Sequence, residues 1–553
     1  MQIKRDKFTI DHDTDAYQKM PELNEHLGNI CFRSLKRNLG RKLITDRTSE
    51  QRREFSAGKL LAVSVVLSRI WKDKIQGKRV GIVLPPGIGA IITNLALVLS
   101  GKIPVNLNFT VGRRVNESCI RKANIETIIT AKAVRERIPD FPWLEDTRDL
   151  VLELKMVSKL AIIGCLVALY LLPTHWLTRI LDIPMEGGEK EAALLFSSGS
   201  TGEPKGVILT HRNIISNCLQ ISHCGLFSEN EILMACLPLF HSFGFTVTVW
   251  FPMITNLRIV TLPSPLEIKR IAKAIDEEKV TVLLGTPTFF RPYYKTVNPE
   301  LLKSLIMVIG GAEKTPPDFK KKWEEKFGSL YLEGYGLTET APVVSVNIPD
   351  ENYRNTFGDP LPGTRVGSVG RLFPGMKGRI ANTESGDIVS PYDTGVLHLQ
   401  GPNIFPGYLD DIKNTASVFA DKWFVTGDLA RFDEDGFLYI EGRLSRFSKI
   451  GGEMVPHGFV EQCIIEAYGY DDSDTLVVAV TGTIDKVKGE SLVLLTTIEI
   501  DRDSLRERMS SAKLPNLWIP RKILRVDSIP CLASGKLDLQ ALEILAQQSQ
   551  SDP

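Results

Sequence analysis

The segment Phe196-Ser-Ser-Gly-Ser-Thr-Gly-Glu-Pro-Lys-Gly206 lies between two short apolar runs, 192–196 and 207–211. This order predicts a strand, a loop and a second strand, because glycine and hydroxyl residues seldom form a buried element. Glycines let the backbone approach a ligand closely, and successive N–H groups form a concave site for phosphate oxygens. Lys205 adds a positive charge, although its position after a proline departs from the P-loop pattern. We interpret the segment as an anion-binding loop, with an ordinary surface loop as the alternative.

The bulk composition indicates a folded enzyme rather than a nucleic-acid or secreted protein. A chain of 553 residues is too long for one core and predicts at least two domains. The formal net charge of +1 gives no reason to expect nucleic-acid binding. The eight cysteines contain no C-x-x-C pair, which favours reduced thiols, and the N-terminus lacks the apolar region of a signal peptide. We therefore expect a cytoplasmic protein.

Apolar periodicity predicts an α/β fold with additional α+β elements. A strand at Arg79–Pro85, a helix at Ile88–Leu99 and a strand near 101–108 follow one another at the spacing of an open α/β layer. Residues 1–30 are polar and aperiodic, which predicts a loosely held arm. Beyond Gly358, glycine, proline and short strands indicate a β-type subdomain.

We expect two domains. Residues 1–442 form a large N-terminal domain of two α/β layers plus the β-type subdomain, and residues 443–553 form a small, mobile α/β domain.

Residues 160–178 form a stretch of nineteen residues without a formal charge, bounded by Lys159 and Arg179. A spanning helix needs about 20 apolar residues, so length alone does not exclude one. Spanning would separate the strand at 79–85 from the loop at 197–206, which argues against it. We favour an interfacial helix with Trp176 at the headgroup level, and a helix buried in the core is the alternative.

A group of five cations without an intervening acid precedes the first helix of the α/β layer: Arg33, Lys36, Arg37, Arg41 and Lys42. Such a run is usually a solvated face, but it also suits an acidic protein partner or an anionic lipid surface.

Seven further motifs come after the anion-binding loop, in this order along the chain: Leu237–Gly244, Gly310–Glu313, Tyr335–Thr340, Thr426–Asp428, Arg443, Lys449–Val455 and Pro530–Lys536. With the loop, they resemble the adenylate-forming superfamily of acyl-CoA synthetases, luciferases and peptide-synthetase adenylation domains. The resemblance covers about residues 30 to 540.

The resemblance implies ATP and Mg²⁺ as cofactors and a defined set of site residues. The catalytic residues would be Lys536, Thr338, Glu339 and His241, with Glu339 also holding magnesium. The nucleotide-binding residues would be Ser198, Gly199, Ser200, Thr201, Gly202, Lys205, Gly311, Tyr335, Gly336, Asp428 and Arg443.

The chemistry of adenylation explains these residue types. A carboxylate attacks the α-phosphorus of ATP, so cations such as Lys536 must bring two anions together and stabilise the transition state. Asp428 can accept hydrogen bonds from both ribose hydroxyls. His241 could instead be a packed core imidazole, and Tyr335 a buried core tyrosine rather than a platform for adenine. The family's hinge residue is usually aspartate or lysine; here Ser445 occupies that position.

The residue sequences of three segments indicate a fatty acid substrate and a carrier-protein thiol as the acceptor. The segments 79–85, 150–173 and 449–455 most resemble bacterial acyl-[acyl-carrier-protein] synthetases. In that family the ligase is often fused to an acyltransferase that carries a His-x4-Asp pair. No histidine in this chain has an aspartate five residues later, so we expect a freestanding synthetase. The aromatic residues of 289–294 suit a lipid-chain tunnel or an ordinary core equally.

We therefore expect a fatty acid substrate, acyl carrier protein as the thiol acceptor, and peripheral contact with lipid at the inner face of the cytoplasmic membrane. Transfer to CoA is the nearest alternative. A non-catalytic lipid-binding relative is a third, disfavoured by the presence of Glu339, Asp428 and Lys536.

Overall fold

The computed structural model describes residues 2–4, 8–197, 203–350, 362–450, 453–470, 476–485, 489–531 and 537–548. The strands in these ranges are β1 (Gln2–Lys4), β2 (Thr9–Asp11), β3 (Lys42–Asp46), β4 (Arg53–Ser56), β5 (Arg79–Ile82), β6 (Ile103–Asn106), β7 (Ile128–Thr130), β8 (Thr147–Asp149), β9 (Glu191–Ser197), β10 (Lys205–Thr210), β11 (Ile232–Ala235), β12 (Arg258–Thr261), β13 (Val282–Gly285), β14 (Met307–Gly310), β15 (Leu330–Gly336), β16 (Val343–Val346), β17 (Arg371–Leu372), β18 (Lys377–Ala381), β19 (Gly395–Gln400), β20 (Phe419–Ala420), β21 (Trp423–Phe432), β22 (Leu438–Arg443), β23 (Phe447–Ile450), β24 (Glu453–Pro456), β25 (Val478–Asp485), β26 (Gly489–Thr496) and β27 (Lys522–Arg525).

The α-helices in the same ranges are α1 (Thr14–Gln18), α2 (Leu27–Arg37), α3 (Ala57–Lys74), α4 (Ile88–Leu99), α5 (Arg113–Lys122), α6 (Lys132–Arg137), α7 (Leu150–Met156), α8 (Lys159–Leu171), α9 (Thr174–Ile180), α10 (His211–His223), α11 (Ser242–Phe245), α12 (Phe251–Thr255), α13 (Ile268–Glu278), α14 (Pro287–Thr296), α15 (Pro317–Phe327), α16 (Ile412–Ser417), α17 (His457–Tyr468), α18 (Arg502–Ser511) and α19 (Leu539–Gln548).

Two mainly parallel sheets form the α/β layers. The larger sheet has the order β17-β16-β15-β14-β13-β11-β12-β3-β4, and its six central strands, β15 to β3 in this order, are parallel. The smaller sheet, β6-β5-β7-β8, is parallel throughout. Parallel strands need crossover helices, which cover the sheets and give a buried core. The predicted α/β fold class is confirmed.

The remaining strands form antiparallel or mixed sheets. A seven-stranded sheet orders as β1-β2-β18-β19-β21-β20, with β22 paired to β21. A five-stranded sheet, β24-β23-β26-β25 with β27 beside β26, is built entirely from residues after Arg443. The strands β9 and β10 pair with each other as an antiparallel hairpin, and Val207 of β10 also forms a bridge with Tyr408. The domain boundary after residue 442 stays a prediction.

The expectation of a loose N-terminal arm is wrong for the part of residues 1–30 that the structure describes. Strand β2 pairs with β18, and the side chains of Ile10, Leu23 and Leu27 are buried. Short segments of this kind acquire their order from distant partners, so local periodicity does not show them.

The charge-free stretch 160–178 forms two helices rather than one. Helix α8 ends at Leu171 and α9 begins at Thr174, with Pro173 between them; proline cannot donate a hydrogen bond to a continuing helix. None of the helices in the described ranges has the length and apolar character required to cross a membrane. The core-helix alternative is also wrong, because Leu160 and Leu171 are 79% and 75% exposed.

The aromatic residues at 289–294 lie on α14, and two of them belong to the core. Phe290 and Tyr293 are buried, and Phe290 packs against Trp323 and Tyr331 with ring centroids 5.2 and 5.6 Å apart. For these two residues the structure supports the core interpretation rather than a tunnel lining.

Candidate active site

The anion-binding loop joins the two strands of the β9–β10 hairpin. Ser197 pairs with Lys205 at the end that the loop joins, which confirms the two predicted strands. At the base of the loop, Glu203 accepts hydrogen bonds from Ser118 and Lys122, at 2.9 and 3.0 Å. The predicted loop residues Ser198, Gly199, Ser200, Thr201 and Gly202 lie outside the described residues. Their role stays a prediction.

Lys205 lies next to a tyrosine that also contacts Glu339. The Lys205 ammonium is 5.2 Å from the centroid of the Tyr408 ring, a cation–π distance. The Tyr408 hydroxyl donates to Oε1 of Glu339 at 3.0 Å. Burial raises the pKa of Tyr408, and the Glu339 carboxylate raises it further, so the hydroxyl stays protonated and donates. Tyr408 thus connects the hairpin to the predicted magnesium ligand.

Glycines lie at the carboxyl ends of β13, β14 and β15, and the edge of the sheet is open at Gly311. The Gly311 amide donates to the carbonyl of Gly285 at 3.0 Å. A Cβ atom at Gly311 would be 3.6 Å from the Phe243 ring, in ordinary contact. A Cβ atom at Gly336 would lie 2.1 Å from the Pro342 carbonyl oxygen, so only glycine fits there. Ligands of open α/β sheets bind at this carboxyl edge.

Tyr335, Asp428 and Arg443 form a hydrogen-bonded cluster at the end of β15. The Tyr335 hydroxyl donates a short hydrogen bond to Oδ2 of Asp428, and Nε of Arg443 is 2.7 Å from Oδ1. Asp428 and Arg443 are opposite each other on the paired strands β21 and β22. The Asp428 amide donates to the hydroxyl of Thr426 at 3.0 Å. Tyr335 from β15 and Arg443 from β22 therefore hold one buried carboxylate on β21.

Electrostatics determine the protonation states of Tyr335 and Arg443. Burial raises the pKa of the Tyr335 hydroxyl well above its usual range, and the Asp428 carboxylate raises it further. Burial acts to lower the pKa of the Arg443 guanidinium, but attraction to Asp428 outweighs burial and the pKa is raised. Tyr335 is therefore a neutral donor and Arg443 a cation, and Tyr335 is not an isolated core tyrosine.

Thr338 and Glu339 lie in a short turn directly after β15. The carbonyl of Glu339 accepts from the Phe405 amide at 2.9 Å, which fixes the turn. The Ser242 hydroxyl donates to that of Thr338 at 3.4 Å. Hydroxyl and carboxylate oxygens are ligands that magnesium accepts. The described residues include no group of three or more histidine, cysteine or acidic side chains placed to hold a metal.

His241 precedes α11 and is exposed, so the alternative of a packed core imidazole is wrong. Its ring lies 4.8 Å from that of Phe240, which contacts Phe109 at 5.4 Å. The neighbouring Ser242 bond to Thr338 places this segment beside the Glu339 turn.

Lys536 lies outside the described residues, as do all of 532–536. The flanking Cys531 and Leu537 form an antiparallel bridge that closes this segment. Lys449, the first residue of the motif Lys449–Val455, forms an ion pair with Glu384. The role of Lys536 stays a prediction.

Sequence reasoning missed Tyr408 and Ser242. Tyr408 follows Gly407, whose φ of +150° lies at the edge of the range that favours glycine. A glycine–tyrosine pair in the proline-rich segment 402–408 was the only indication of a specialised turn. Ser242 lies within the motif Leu237–Gly244, in which only its neighbour His241 was predicted to be a site residue.

Comparisons with known proteins find a matching family model and similar curated proteins. The family model "AMP-binding enzyme" matches residues 72–409. A long-chain-fatty-acid–CoA ligase of Bacillus subtilis strain 168 is 31% identical over 378 residues, 65% of this chain and 63% of that ligase. A ligase of the same name from Salmonella typhimurium is 25% identical over 506 residues, 87% of this chain and 86% of its own.

Solved structures share the fold. ATP-bound MatB from Rhodopseudomonas palustris aligns with a TM-score of 0.75 at 24% identity, covering 94% of this chain and 99% of its own. O-succinylbenzoate CoA synthetase (MenE) from Bacillus subtilis, in complex with ATP and magnesium ion, aligns with a TM-score of 0.74 at 21% identity, covering 93% and 99%.

Proposed function

The chain belongs to the AMP-binding enzyme family, because the family model matches more than half of the chain. We propose that the protein is an AMP-forming ligase that activates a long-chain fatty acid. The fatty carboxylate oxygen attacks the α-phosphorus of ATP, and pyrophosphate leaves. A thiol then attacks the acyl-adenylate carbonyl, and AMP leaves as the thioester forms. The observation that carries the proposal is the Tyr335–Asp428–Arg443 cluster next to the Glu339–Tyr408–Lys205 group.

The cluster suits the nucleoside end of ATP. Asp428 is held by Arg443 and Tyr335, and we assign its carboxylate to the ribose hydroxyls. Tyr335 and Gly336 lie beside the open edge at Gly311, where adenine would pack against the backbone. A carboxylate is a suitable acceptor for these hydroxyls, because charged acceptors make the stronger hydrogen bonds.

The other group suits the phosphates. Lys205 and the loop residues 198–202 would hold the departing pyrophosphate. Thr338 and Glu339 would hold magnesium, which when bound neutralises charge on the phosphate oxygens. Tyr408 fixes the orientation of Glu339 through its hydroxyl. Lys536 would contact the attacking carboxylate and the α-phosphate from the domain 443–553, which would have to move between the two half-reactions near Ser445.

For the acceptor we propose the phosphopantetheine thiol of acyl carrier protein. The proposal is supported by the resemblance of segments 79–85, 150–173 and 449–455 to acyl-[acyl-carrier-protein] synthetases. Transfer to CoA is the second candidate, favoured by the names of the Bacillus and Salmonella relatives. Both acceptors present the same phosphopantetheine thiol, so they differ only in the rest of the molecule, which the enzyme must recognise. We place the reaction at the inner face of the cytoplasmic membrane.

One competition assay tests the acceptor. Labelled palmitate, ATP and magnesium are supplied with CoA and holo-acyl carrier protein together at equal concentration. We expect label on the carrier protein, resolved from acyl-CoA by gel and thin-layer chromatography. Label on CoA alone would overturn the carrier-protein assignment but keep the ligase. Pyrophosphate exchange that does not depend on fatty acid would overturn the ligase itself.

A further inference from the structure

Exposed apolar side chains are concentrated on α7, α8 and α9. Of the 23 large apolar side chains that are exposed in the described part of the chain, ten fall within residues 151–180. These ten, which we call the apolar surface, are Val151, Leu152, Met156, Leu160, Ile163, Val167, Tyr170, Leu171, Trp176 and Ile180. Exposed apolar residues are normally scattered singly, so a concentration of this kind marks an interaction site.

Helix α8 presents one apolar face to the protein and another to solvent. Leu166 packs against α3, with its Cδ1 atom 3.1 Å from the position of a Cβ on Gly58, and Leu169 is buried. Leu160, Ile163 and Val167 follow one another at spacings of three and four residues on the exposed side. The helix therefore lies flat on the protein, with half of its apolar circumference uncovered. A flat helix of this kind is suited to lie in the plane of a bilayer surface.

A basic groove adjoins the apolar surface. Residues 36–41, at the end of α2, line an open groove of about 450 Å³ together with Leu169 and Tyr170 of α8. Three of the five clustered cations are neutralised by acids: Arg33 by Glu25, Arg41 by Glu229 and Lys42 by Glu54. Lys36 and Arg37 have no acidic partner in the ranges that the structure describes. Their charges are therefore available to an anion in the groove.

Further cations and an aromatic residue border the apolar surface. Lys155, Lys159 and Arg179 are exposed at the ends of α7, α8 and α9. Trp176, on α9, is 56% exposed. Tryptophan is enriched at the headgroup level of membranes, and lysine and arginine beside it contact lipid phosphates.

We propose that the apolar surface and the basic groove together dock the protein on a bilayer that contains anionic phospholipids. The apolar side chains would enter the headgroup–acyl boundary, and Lys36 and Arg37 would bind lipid phosphate. An acidic carrier protein would satisfy the cations but leave the apolar side chains in water. A second copy of the chain would bring two basic borders together. A bilayer is the partner that matches both the apolar and the basic part.

The docking identifies the surface that would hold the protein at the membrane, and it does not depend on the ligase assignment. If the ligase assignment is also correct, docking has a consequence: long-chain fatty acids partition into bilayers, so the enzyme would meet its substrate where it is bound.

Vesicle flotation without nucleotide or fatty acid tests the docking. The probes are vesicles of phosphatidylcholine alone and of phosphatidylcholine with phosphatidylglycerol. We expect wild-type protein to float with the anionic vesicles. Lys36→Gln/Arg37→Gln should lower that partition at least about tenfold, since each cation near an anionic surface contributes about fivefold. Leu160→Ser/Leu171→Ser should lower it by at least about tenfold, because two exposed leucines no longer enter the bilayer.

Matched controls carry the same chemical changes elsewhere. Leu266→Ser/Ile412→Ser removes two exposed apolar side chains, and Lys322→Gln/Lys413→Gln removes two exposed cations, outside the proposed surface. Both should float like wild type. Circular dichroism and the thermal midpoint establish that every variant is folded.

Three results would overturn the docking. The first is wild-type protein that does not float, and the second is surface variants that float as well as their controls. The third is a change of partner: Lys36→Gln/Arg37→Gln losing affinity for acyl carrier protein, or Leu160→Ser/Leu171→Ser converting a dimer to a monomer in ultracentrifugation, with vesicle binding unchanged.

Discussion

The nucleotide site and the apolar surface differ in burial and in how firmly their side chains are held. In the site, Asp428 is buried and its carboxylate is held by Arg443 from the adjacent strand and by Tyr335, which is 93 residues away. On the apolar surface, Leu160 and Leu171 contact mainly solvent, and only one side of α8 is held. Prearranged polar groups lower a reaction barrier because they need no rearrangement. An uncovered apolar face stores free energy that is released only when a partner covers it.

This difference predicts that the two regions can be damaged separately. Changes in the site should lower the rate of adenylation to the same extent with and without vesicles. Changes on the apolar surface should lower vesicle binding and leave adenylation of a soluble short-chain acid unchanged. A site variant that lost vesicle binding would break the comparison.

The largest effect is expected from Lys536→Ala. Loss of one transition-state donor costs about 10²–10³ in rate, so formation of the adenylate should fall by that factor. Transfer of the acyl group from preformed adenylate to the thiol should survive. Single-turnover measurements of the two half-reactions check this, with Lys522→Ala as the control in the same terminal domain. An equal loss in both half-reactions would refute the role of Lys536.

A smaller effect is expected from Asp428→Asn. The amide keeps the size of the side chain but loses the charge that pairs with Arg443. Hydrogen bonds to charged groups contribute about 1.5–3 kcal/mol, so kcat/KM for ATP should fall roughly 10–150-fold. The measurement is steady-state kinetics with ATP varied at saturating fatty acid.

Asp433→Asn is the matched control for that variant. Asp433 is also buried and pairs with an arginine, Arg365, at 2.6 Å, but outside the site. It should lower the thermal midpoint and leave the KM for ATP unchanged. If both variants changed stability alone, Asp428 would be a structural residue and the ribose assignment would be wrong.

The sequence predicted local elements well and long-range contacts poorly. The apolar run 88–99 is helix α4 with the same first and last residues, because an apolar helix in an α/β layer is specified by its own periodicity. The β9–β10 hairpin was specified equally locally. In contrast, the order of residues 8–30 depends on β18, some 370 residues away. Nothing in the neighbourhood of residue 10 encodes that partner.

The same distinction applies to the site. Asp428 and Glu339 were found because they lie in ordered motifs with a known resemblance. Tyr408 was missed because its role arises from contacts with Lys205 and Glu339, which are 203 and 69 residues away. Exposure is also a property of the folded chain: the stretch 160–178 was recognisably apolar, but only the structure shows which side of α8 is uncovered.

A pair of buried histidines lies between the two regions. Helix α2 begins where the Leu27 amide donates to Nδ1 of His211, at 3.1 Å, and it ends at the basic groove. His211 follows directly on β10 of the hairpin, and its ring is 3.9 Å from that of His26. Burial lowers the pKa of His26 to about 4 and that of His211 to about 2. Both rings are therefore neutral in the folded protein.

This pair predicts the smallest effect, which is absent at neutral pH and appears on acidification. Below pH 6.5 His26 binds a proton in the unfolded chain but stays neutral in the folded protein. The free energy of unfolding therefore falls as the pH falls towards 4. One unit below 6.5, His26 alone should account for about 1.4 kcal/mol. His26→Asn keeps an acceptor that can cap α2 and should reduce the pH slope of the thermal midpoint, whereas the exposed His175→Asn should not. An unchanged slope in His26→Asn would mean that His26 protonates in the folded state. The His26–His211 contact, from which α2 leads to the basic groove, would then carry a charge instead of being neutral.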